Sequence, residues 1–347
     1  MVSSSVPPAA PVLDPRPILD MNYAFARTAM LVAAVRLGIF THLADRQLTP
    51  AELATLAQTL PDPTQRLLDG LRTLGLVEQE GETYKLTPVT NHFLVEGKAS
   101  YLGGDTLAML DYLPAWLNLD QTIRTNQPYR DLGRVADAEE FFAPRVRDLF
   151  PLVYPIATRM VAALALEKSA TALQVLDVGA GSAAWSVAFA QQYPNAQVTA
   201  IDLPAVVAEG QQQTAALNLS DRYTWIAADV TTLSLSPATY HLVIVAHLCR
   251  FIGEERSRDL LKKLYQSMQP GGTLVIADTL LLDDRSGPPF ALTLDLSMLV
   301  NTSEGRTFTF QECSLWLHDC GFQDVCRLDV AGPSPLIVAK KGEGSEA

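Results

Sequence analysis

Apolar residues recur at helical spacing over residues 18–37, and the run stops at Gly38, where glycine can take the left-handed conformation that closes a helix. Thr49-Pro50-Ala51-Glu52 then supplies a capping hydroxyl, a proline at the first helical position and a glutamate three residues after the cap, so a helix is expected through Gln58. Asp62-Pro63 repeats the start signal for a helix to Leu74, stopped at Gly75. Two short runs, 77–79 and 83–86, read as strands that turn back at Glu80-Gly81. Short helices followed by such a hairpin make a winged-helix pattern. Residues 99–168 hold further helical stretches with aromatics at Tyr101, Tyr112, Trp116, Phe141, Phe142, Phe150 and Tyr154; most of these are expected to pack helices, some to line a pocket shared with the next domain.

Past a small, polar stretch at 168–171, strands alternate with helices, the pattern of a doubly wound parallel sheet. Strands are expected at 174–178, 197–202, 223–227, 242–246 and 273–278, and helices at 182–192, 205–217, 254–268 and 311–320. The segments 323–329 and 335–340 read as a final antiparallel pair. The chain thus divides into a disordered head, 1–17, a helical and winged domain, 18–168, an α/β domain, 169–341, and a disordered tail, 342–347.

Composition narrows the function classes. Of 347 residues 48% are hydrophobic and 18% charged, below the usual charged share of about 25%, so disorder is excluded as the main state. The formal net charge is −12. Residues 49–97, the winged unit, carry three basic and seven acidic side chains, whereas binding to phosphates requires the opposite balance. Nucleic acid is therefore not an expected partner. Cys249, Cys313, Cys320 and Cys326 lie in the last third without close C-x-x-C pairs, and read as reduced thiols with no metal site. No signal-like head and no run of about 18 apolar residues is present, so no membrane association and a cytoplasmic location are expected.

The candidate chemistry sits at the strand ends. The first strand of the α/β domain runs into Asp177-Val178-Gly179-Ala180-Gly181-Ser182, and the second ends in Asp202. Glycines permit a tight turn with backbone close to a ligand, and a carboxylate at the second strand end accepts ribose hydroxyls. Gly179, Gly181 and Ala184 also satisfy G-x-G-x-x-A, the signature of dinucleotide enzymes. Asp177 argues otherwise: a carboxylate there repels a pyrophosphate but receives a cationic amino group. Asp229, after the third strand, can accept from an adenine amino group.

These segments, with Asp202-Leu203-Pro204, Ala228-Asp229-Val230, Gln269-Pro270-Gly271-Gly272 and Gly321-Phe322, give a chain that resembles the class I S-adenosylmethionine-dependent methyltransferases over about residues 18–341. More narrowly, it is similar to the small-molecule O-methyltransferases of the plant caffeate and bacterial tailoring types. The resemblance implies a Rossmann-like C-terminal sheet and an N-terminal winged-helix dimerisation domain. It implies S-adenosyl-L-methionine as cofactor, S-adenosyl-L-homocysteine as product, and a homodimer acting on an aromatic or polyketide-like hydroxyl. Asp177, Gly179 and Gly181 would approach the methionine part, Asp202 and Leu203 the ribose, Asp229 and Val230 the adenine, with His247 beside the cofactor. Tyr112, Trp116, Met298 and Asn301 would line the acceptor pocket.

The family's histidine base is missing. Setting Gly253-Glu254-Glu255 on the family's helix start puts Arg250 at the base position. A guanidinium stays protonated at any working pH, so Arg250 would clamp an acceptor carboxylate or phenolate, or pair with a neighbouring acid. His247, three residues earlier, is the nearest histidine able to take over. His241 falls at the opposite strand end, and His42, His92 and His318 stand outside any motif. Asp278 matches the first acidic partner of the base; Glu304 or Gly305 takes the place of the second. This incomplete trio keeps open C- or N-methylation, and sulfonium-assisted decarboxylation, hydroxylation or pericyclic chemistry. A ligand-sensing winged-helix regulator and an NAD-dependent dehydrogenase remain as further readings.

Overall fold

The computed structural model describes residues 13–164, 166, 173–330, 332 and 334–343. The boundary expected at 168–171, and the head and tail at 1–12 and 344–347, lie outside the described residues. The described residues fall into two compact units, one ending at Leu107 and one starting at Ala108.

The first unit contains α1 (Arg16–Asn22), α2 (Ala24–Arg36), α3 (Ile39–His42), α4 (Pro50–Leu56) and α5 (Pro61–Thr73), then the antiparallel wing β1 (Val77–Glu80) and β2 (Thr83–Leu86), and α6 (Pro88–Phe93). The helix expected over 18–37 starts two residues earlier and is interrupted at Tyr23, and Gly38 ends it with φ +63°. At α4 the Glu52 amide donates to the Thr49 hydroxyl at 3.3 Å and the Thr49 amide donates to the Glu52 carboxylate at 2.8 Å, which holds that carboxyl below its usual range. Ala34, Ile39, Phe40, Leu53, Leu68, Leu71, Val77 and Tyr84 close a small core. Ile18, Met21, Tyr23 and Phe25 remain exposed. By length and composition alone, 16–36 is the one described helix that could cross a membrane, although Asp20 and Arg27 interrupt its apolar run.

α7 (Gly103–Ala108), α8 (Leu113–Leu117), α9 (Leu119–Thr125), α10 (Val135–Phe142) and α11 (Val146–Leu164) lead to a seven-stranded sheet. Its strands are β3 (Gln174–Val178), β4 (Gln197–Asp202), β5 (Tyr223–Ala227), β6 (Tyr240–Ala246), β7 (Met268–Ala277), β8 (Phe322–Leu328) and β9 (Leu336–Lys341), in the order β5-β4-β3-β6-β7-β9-β8. β3 to β7 are parallel and β8 and β9 pair antiparallel, as expected; β9 also pairs antiparallel with β7, which joins the final pair to the sheet. The crossovers are α12 (Ala184–Gln192), α13 (Pro204–Ala216), α14 (Cys249–Ser267), α15 (Pro289–Asn301) and α16 (Phe310–Asp319). Alternate strand residues feed two cores: Val175, Ala200, Ile244 and Val275 share one with α11 and α12, and Leu176, Ile201, Val243 and Ile276 share the other with α14 and α16. Coverage of both faces explains why these strands are almost uniformly apolar.

Three features differ from the periodicity reading. Residues 108–164, expected with the winged half, belong to the compact unit of the sheet: Ile156, Ala157, Met160 and Val161 of α11 are buried in the same core as α12. α15 has no polar side to reveal a period and was not anticipated. α14 begins at Cys249, but Gly253 (φ +79°) breaks it, so its main body starts at Glu254 as the sequence suggests.

Gly210 lets α13 close on the glycine turn. A Cβ at this position would meet the Trp225 ring and stand 2.7 Å from the Gly181 carbonyl oxygen. An indole can shift, but a backbone carbonyl in a tight turn cannot. Gly210→Ala should therefore lower stability by about 1–3 kcal/mol, outweighing the roughly 0.5–1 kcal/mol that alanine gains in a helix. A urea midpoint equal to or above that of the unmodified protein would contradict this close approach.

Candidate active site

Because β3 to β7 run in one direction, their carboxyl ends share one edge of the sheet, with β3 at the switch point between β4 and β6. Asp177 lies in β3, Gly179 and Gly181 follow it, Asp202 ends β4, Asp229 follows β5, His247 follows β6 and Asp278 follows β7. The fold thus gathers residues that are spread over a hundred positions of sequence.

Asp177 is buried, and its Oδ2 accepts from Ser186 Oγ at 2.5 Å, a hydroxyl that also receives the Tyr223 hydroxyl at 3.1 Å. Its Oδ1 is buried and has no partner among the described residues. Burial, opposed by the Ser186 bond and assisted by the charge of Asp202, pushes this carboxyl up to about 7. Gly179 (φ +69°) and Gly181 (φ +55°) take left-handed backbone that a residue with a side chain resists. The turn they form lies on β4: the Gly179 amide donates to the Ile201 carbonyl at 2.9 Å, and the Gly181 amide to Asp202 Oδ2 at 2.7 Å. Asp202 Oδ1 accepts the Leu203 amide at 2.7 Å. Burial pushes Asp202 up to about 6 against these two amides, with Glu139 adding to the rise. Each Asp202 oxygen retains a lone pair. Asp229 Oδ1 accepts both the amide and the hydroxyl of Thr231, at 2.8 and 2.7 Å, leaving Oδ2 at 3.9 Å from Arg256, and Val230 is buried beside it.

The ends of β6 and β7 are joined by charge. Arg250 Nη1 donates to Asp278 Oδ1 and, at 2.8 Å, to His247 Nδ1. His247 itself is held at φ +56°, and its ring lies 6.0 Å from that of Trp185. An arginine can only donate, so Nδ1 of His247 is the acceptor and the imidazole proton resides on Nε2. Burial and the Arg250 charge hold this imidazole below its usual range. Asp278 also accepts the Thr279 amide at 2.8 Å, and despite its burial the Arg250 charge keeps it below the usual carboxylate range. His241 is remote, accepting the Gln174 amide at 3.0 Å at the opposite end of the sheet. Glu304 is exposed and pairs with no described residue, while Gly305 packs so closely that a Cβ would lie 2.5 Å from the Arg250 carbonyl oxygen.

Of the residues expected to line an acceptor pocket, Met298 and Asn301 are buried near the end of α15, which packs against α8, the helix of Trp116. Asn301 Nδ2 donates to the Ser297 carbonyl at 2.9 Å, and its Oδ1 is buried without a partner. Tyr112 meets Phe141 edge-on, ring centroids 4.9 Å apart. Two participants had not been singled out. Ser186 was legible as the one polar residue in the apolar run 184–190, whereas Glu139 approaches Asp202 only through tertiary packing. Among the described residues no group of three or more His, Cys, Asp or Glu side chains is placed to hold a metal ion.

Known proteins resemble this chain over most of its length. Residues 151–323 match the family model of the O-methyltransferase domain, and residues 19–96 that of the O-methyltransferase dimerisation domain. Over 342 residues the chain is 30% identical to the tetracenomycin polyketide synthesis 8-O-methyl transferase TcmO of Streptomyces glaucescens, covering 96% of this chain and 99% of that protein. It is 29% identical over 322 residues to the 3-hydroxy-5-methyl-1-naphthoate 3-O-methyltransferase of Streptomyces sahachiroi, covering 92% of each. The fold superposes on the structure of PigF of Serratia with SAH at a TM-score of 0.80, with 25% identity over 95% of this chain and all of that one. A strand edge that collects Asp177, the glycine turn and Asp202, joined to a winged unit that matches the dimerisation model, places this chain in the O-methyltransferase family.

Proposed function

We propose that this protein transfers the methyl group of S-adenosylmethionine to a hydroxyl of a small aromatic or polyketide-like acceptor, and works as a homodimer. The observation that carries the reading is the buried, unpaired Oδ1 of Asp177 beside the glycine turn, one strand from Asp202. An ammonium group compensates a buried carboxylate, whereas a pyrophosphate would face two of them, so the residues fit an amino-acid-bearing nucleoside better than a dinucleotide. When bound, the cofactor supplies a methyl group activated by a positively charged sulfur. Asp177 receives its amino group, the bare backbone of Gly179 and Gly181 admits its chain, and Asp202 with Leu203 holds the ribose. Asp229 Oδ2 and Val230 meet the adenine, and His247 borders the sulfur end. Tyr112, Trp116, Met298 and Asn301 form the acceptor side. The match of residues 19–96 to a dimerisation domain, and the exposed Ile18, Met21, Tyr23 and Phe25, support a second copy as the partner of the winged unit.

Incubation with methyl-labelled S-adenosylmethionine and a panel of phenols, amines and acidic carbons should label phenolic oxygen. Conversion of an acceptor without label would instead favour a non-methylating reaction. Asp202→Ala should weaken cofactor binding about 10- to 100-fold, the worth of a charged hydrogen bond, and calorimetry showing unchanged affinity would remove its role at the ribose. Both Asp177 and Asp202 have folded-state pKa values, about 7 and about 6, above the ordinary 3.8. Their contribution to the stability of the free protein is therefore full below about pH 4 and lost as pH rises through 6 and 7. An ammonium ligand prefers the ionised carboxylate, so the thermal shift induced by S-adenosylmethionine should grow over that window and flatten in Asp177→Asn. A shift independent of pH in the unmodified protein would count against the assignment.

A further inference from the structure

We infer that the site takes acceptors that arrive already ionised, acidic phenols or enols flanked by a carbonyl, and that Arg250 selects them by pairing with the oxyanion while no side chain acts as a general base. This rests on the methyl-transfer reading above and names its acceptor class.

The argument starts from the hydrogen-bond inventory of Arg250. Nη1 is committed to Asp278 and His247, which fixes the plane of the guanidinium. Nε and Nη2 make no hydrogen bond with a described residue, and Nε is buried. In a guanidinium these two nitrogens present parallel N–H groups along one edge, the geometry that grips two oxygens at once. A buried donor left unpaired is costly, so the edge is poised for an acceptor that brings oxygen. An oxyanion with a neighbouring carbonyl offers two such oxygens at matching separation; a simple neutral alcohol offers one, and a proton that has nowhere to go.

The guanidinium also lies over the Phe251 ring, 5.0 Å from its centroid, and the neighbouring titratable groups offer no effective base. His247 Nδ1 is consumed by Arg250, and Nε2 carries the proton, so the ring has no free lone pair. Asp278 is held as the counter-ion of Arg250 and its Oδ1 also takes the Thr279 amide; its Oδ2 is buried without a partner among the described residues, but the Arg250 charge keeps this carboxyl below the usual range and so a poor base. Burial pushes the Cys249 thiol up to about 12 and Cys313 well above the usual thiol range, so both are neutral. Asp295 Oδ1 accepts the Thr307 amide at 2.7 Å, and Glu304 is exposed. With the proton left in solvent, a lone pair of the oxyanion forms the C–O bond as the S–C bond breaks. The products are a methyl ether and a neutral thioether, and the charges of sulfonium and oxyanion cancel.

The test uses chromophoric acceptors whose absorbance reports ionisation: 4-nitrophenol, 1-hydroxyanthraquinone and 2-hydroxy-1,4-naphthoquinone. Each is titrated on the protein saturated with S-adenosylhomocysteine. The expected result is ionisation of the bound chromophore about one pH unit or more below its free value, largest for the two carbonyl-flanked probes, and kcat/KM profiles whose midpoints follow each acceptor. Removing Arg250 alone strands a buried Asp278, so the variant is R250M combined with D278N, and it should return the bound ionisation to the free value while cofactor affinity is retained. R250H should gain turnover of weakly acidic phenols with one midpoint common to all acceptors. Chromophores bound in the protonated form, a common midpoint in the unmodified protein, or an unshifted double variant would overturn the inference. So would a hydroxyl panel that fails to bind while S-adenosylmethionine binds. Loss of S-adenosylmethionine binding itself would instead remove the methyl-transfer reading.

Discussion

Asp177 sits inside a strand whose two faces are both covered, with Ser186 on one oxygen and no described residue on the other. Keeping a carboxylate there requires the rest of the strand edge to be built around it. The glycine turn must fold back onto β4 so that its amides are used, and Asp202 must stand at the end of β4 to receive the Gly181 amide. α13 must in turn carry a glycine at position 210, because the turn approaches it too closely for a side chain. In the function proposed above, a cationic ligand completes this arrangement by supplying the charge and the donor that the surrounding residues lack.

The second centre, at the ends of β6 and β7, is governed by one ion pair. Arg250 and Asp278 neutralise each other in a place where either charge by itself would be expensive to bury. The pair has consequences for its neighbours. It takes the basic nitrogen of His247, and it leaves Asp278 no reason to hold a proton. The loop after α15 reinforces the substitution: Gly305 packs on the Arg250 backbone where a larger residue would not fit, and Glu304 faces solvent. The trio with members missing is replaced by a cluster held by the Arg250–Asp278 pair, in which Arg250 Nε and Asp278 Oδ2 are buried without a partner among the described residues.

Much of this was legible before any tertiary contact was known. The capping box at Thr49 and Glu52, the glycine stops, and the strands that carry Asp177 and Asp202 all depend on interactions within a few residues or on the period of side-chain burial. The same holds for the order of chemistry-bearing residues at the strand ends, because parallel strands joined by helices leave no other edge for them. α15 escaped because its exposed positions include Phe290, Leu292 and Leu296, so no polar stripe marks the helical period. Residues 108–164 were grouped with the winged half because an apolar stripe states that α11 needs a partner, not which one.

The sequence by itself determined the alternation of elements, the glycine turn flanked by carboxylates, and the presence of arginine where a base was expected. Those are local or pairwise in kind. Only the tertiary structure decided the protonation and pairing of the site: that Asp177 keeps one oxygen free, that Nδ1 of His247 faces Arg250, and that Gly305 closes on the Arg250 carbonyl. Such facts depend on distances between strand ends far apart in the chain and on the loss of water around them, and neither burial nor a donor's direction is encoded in the spacing of residue types.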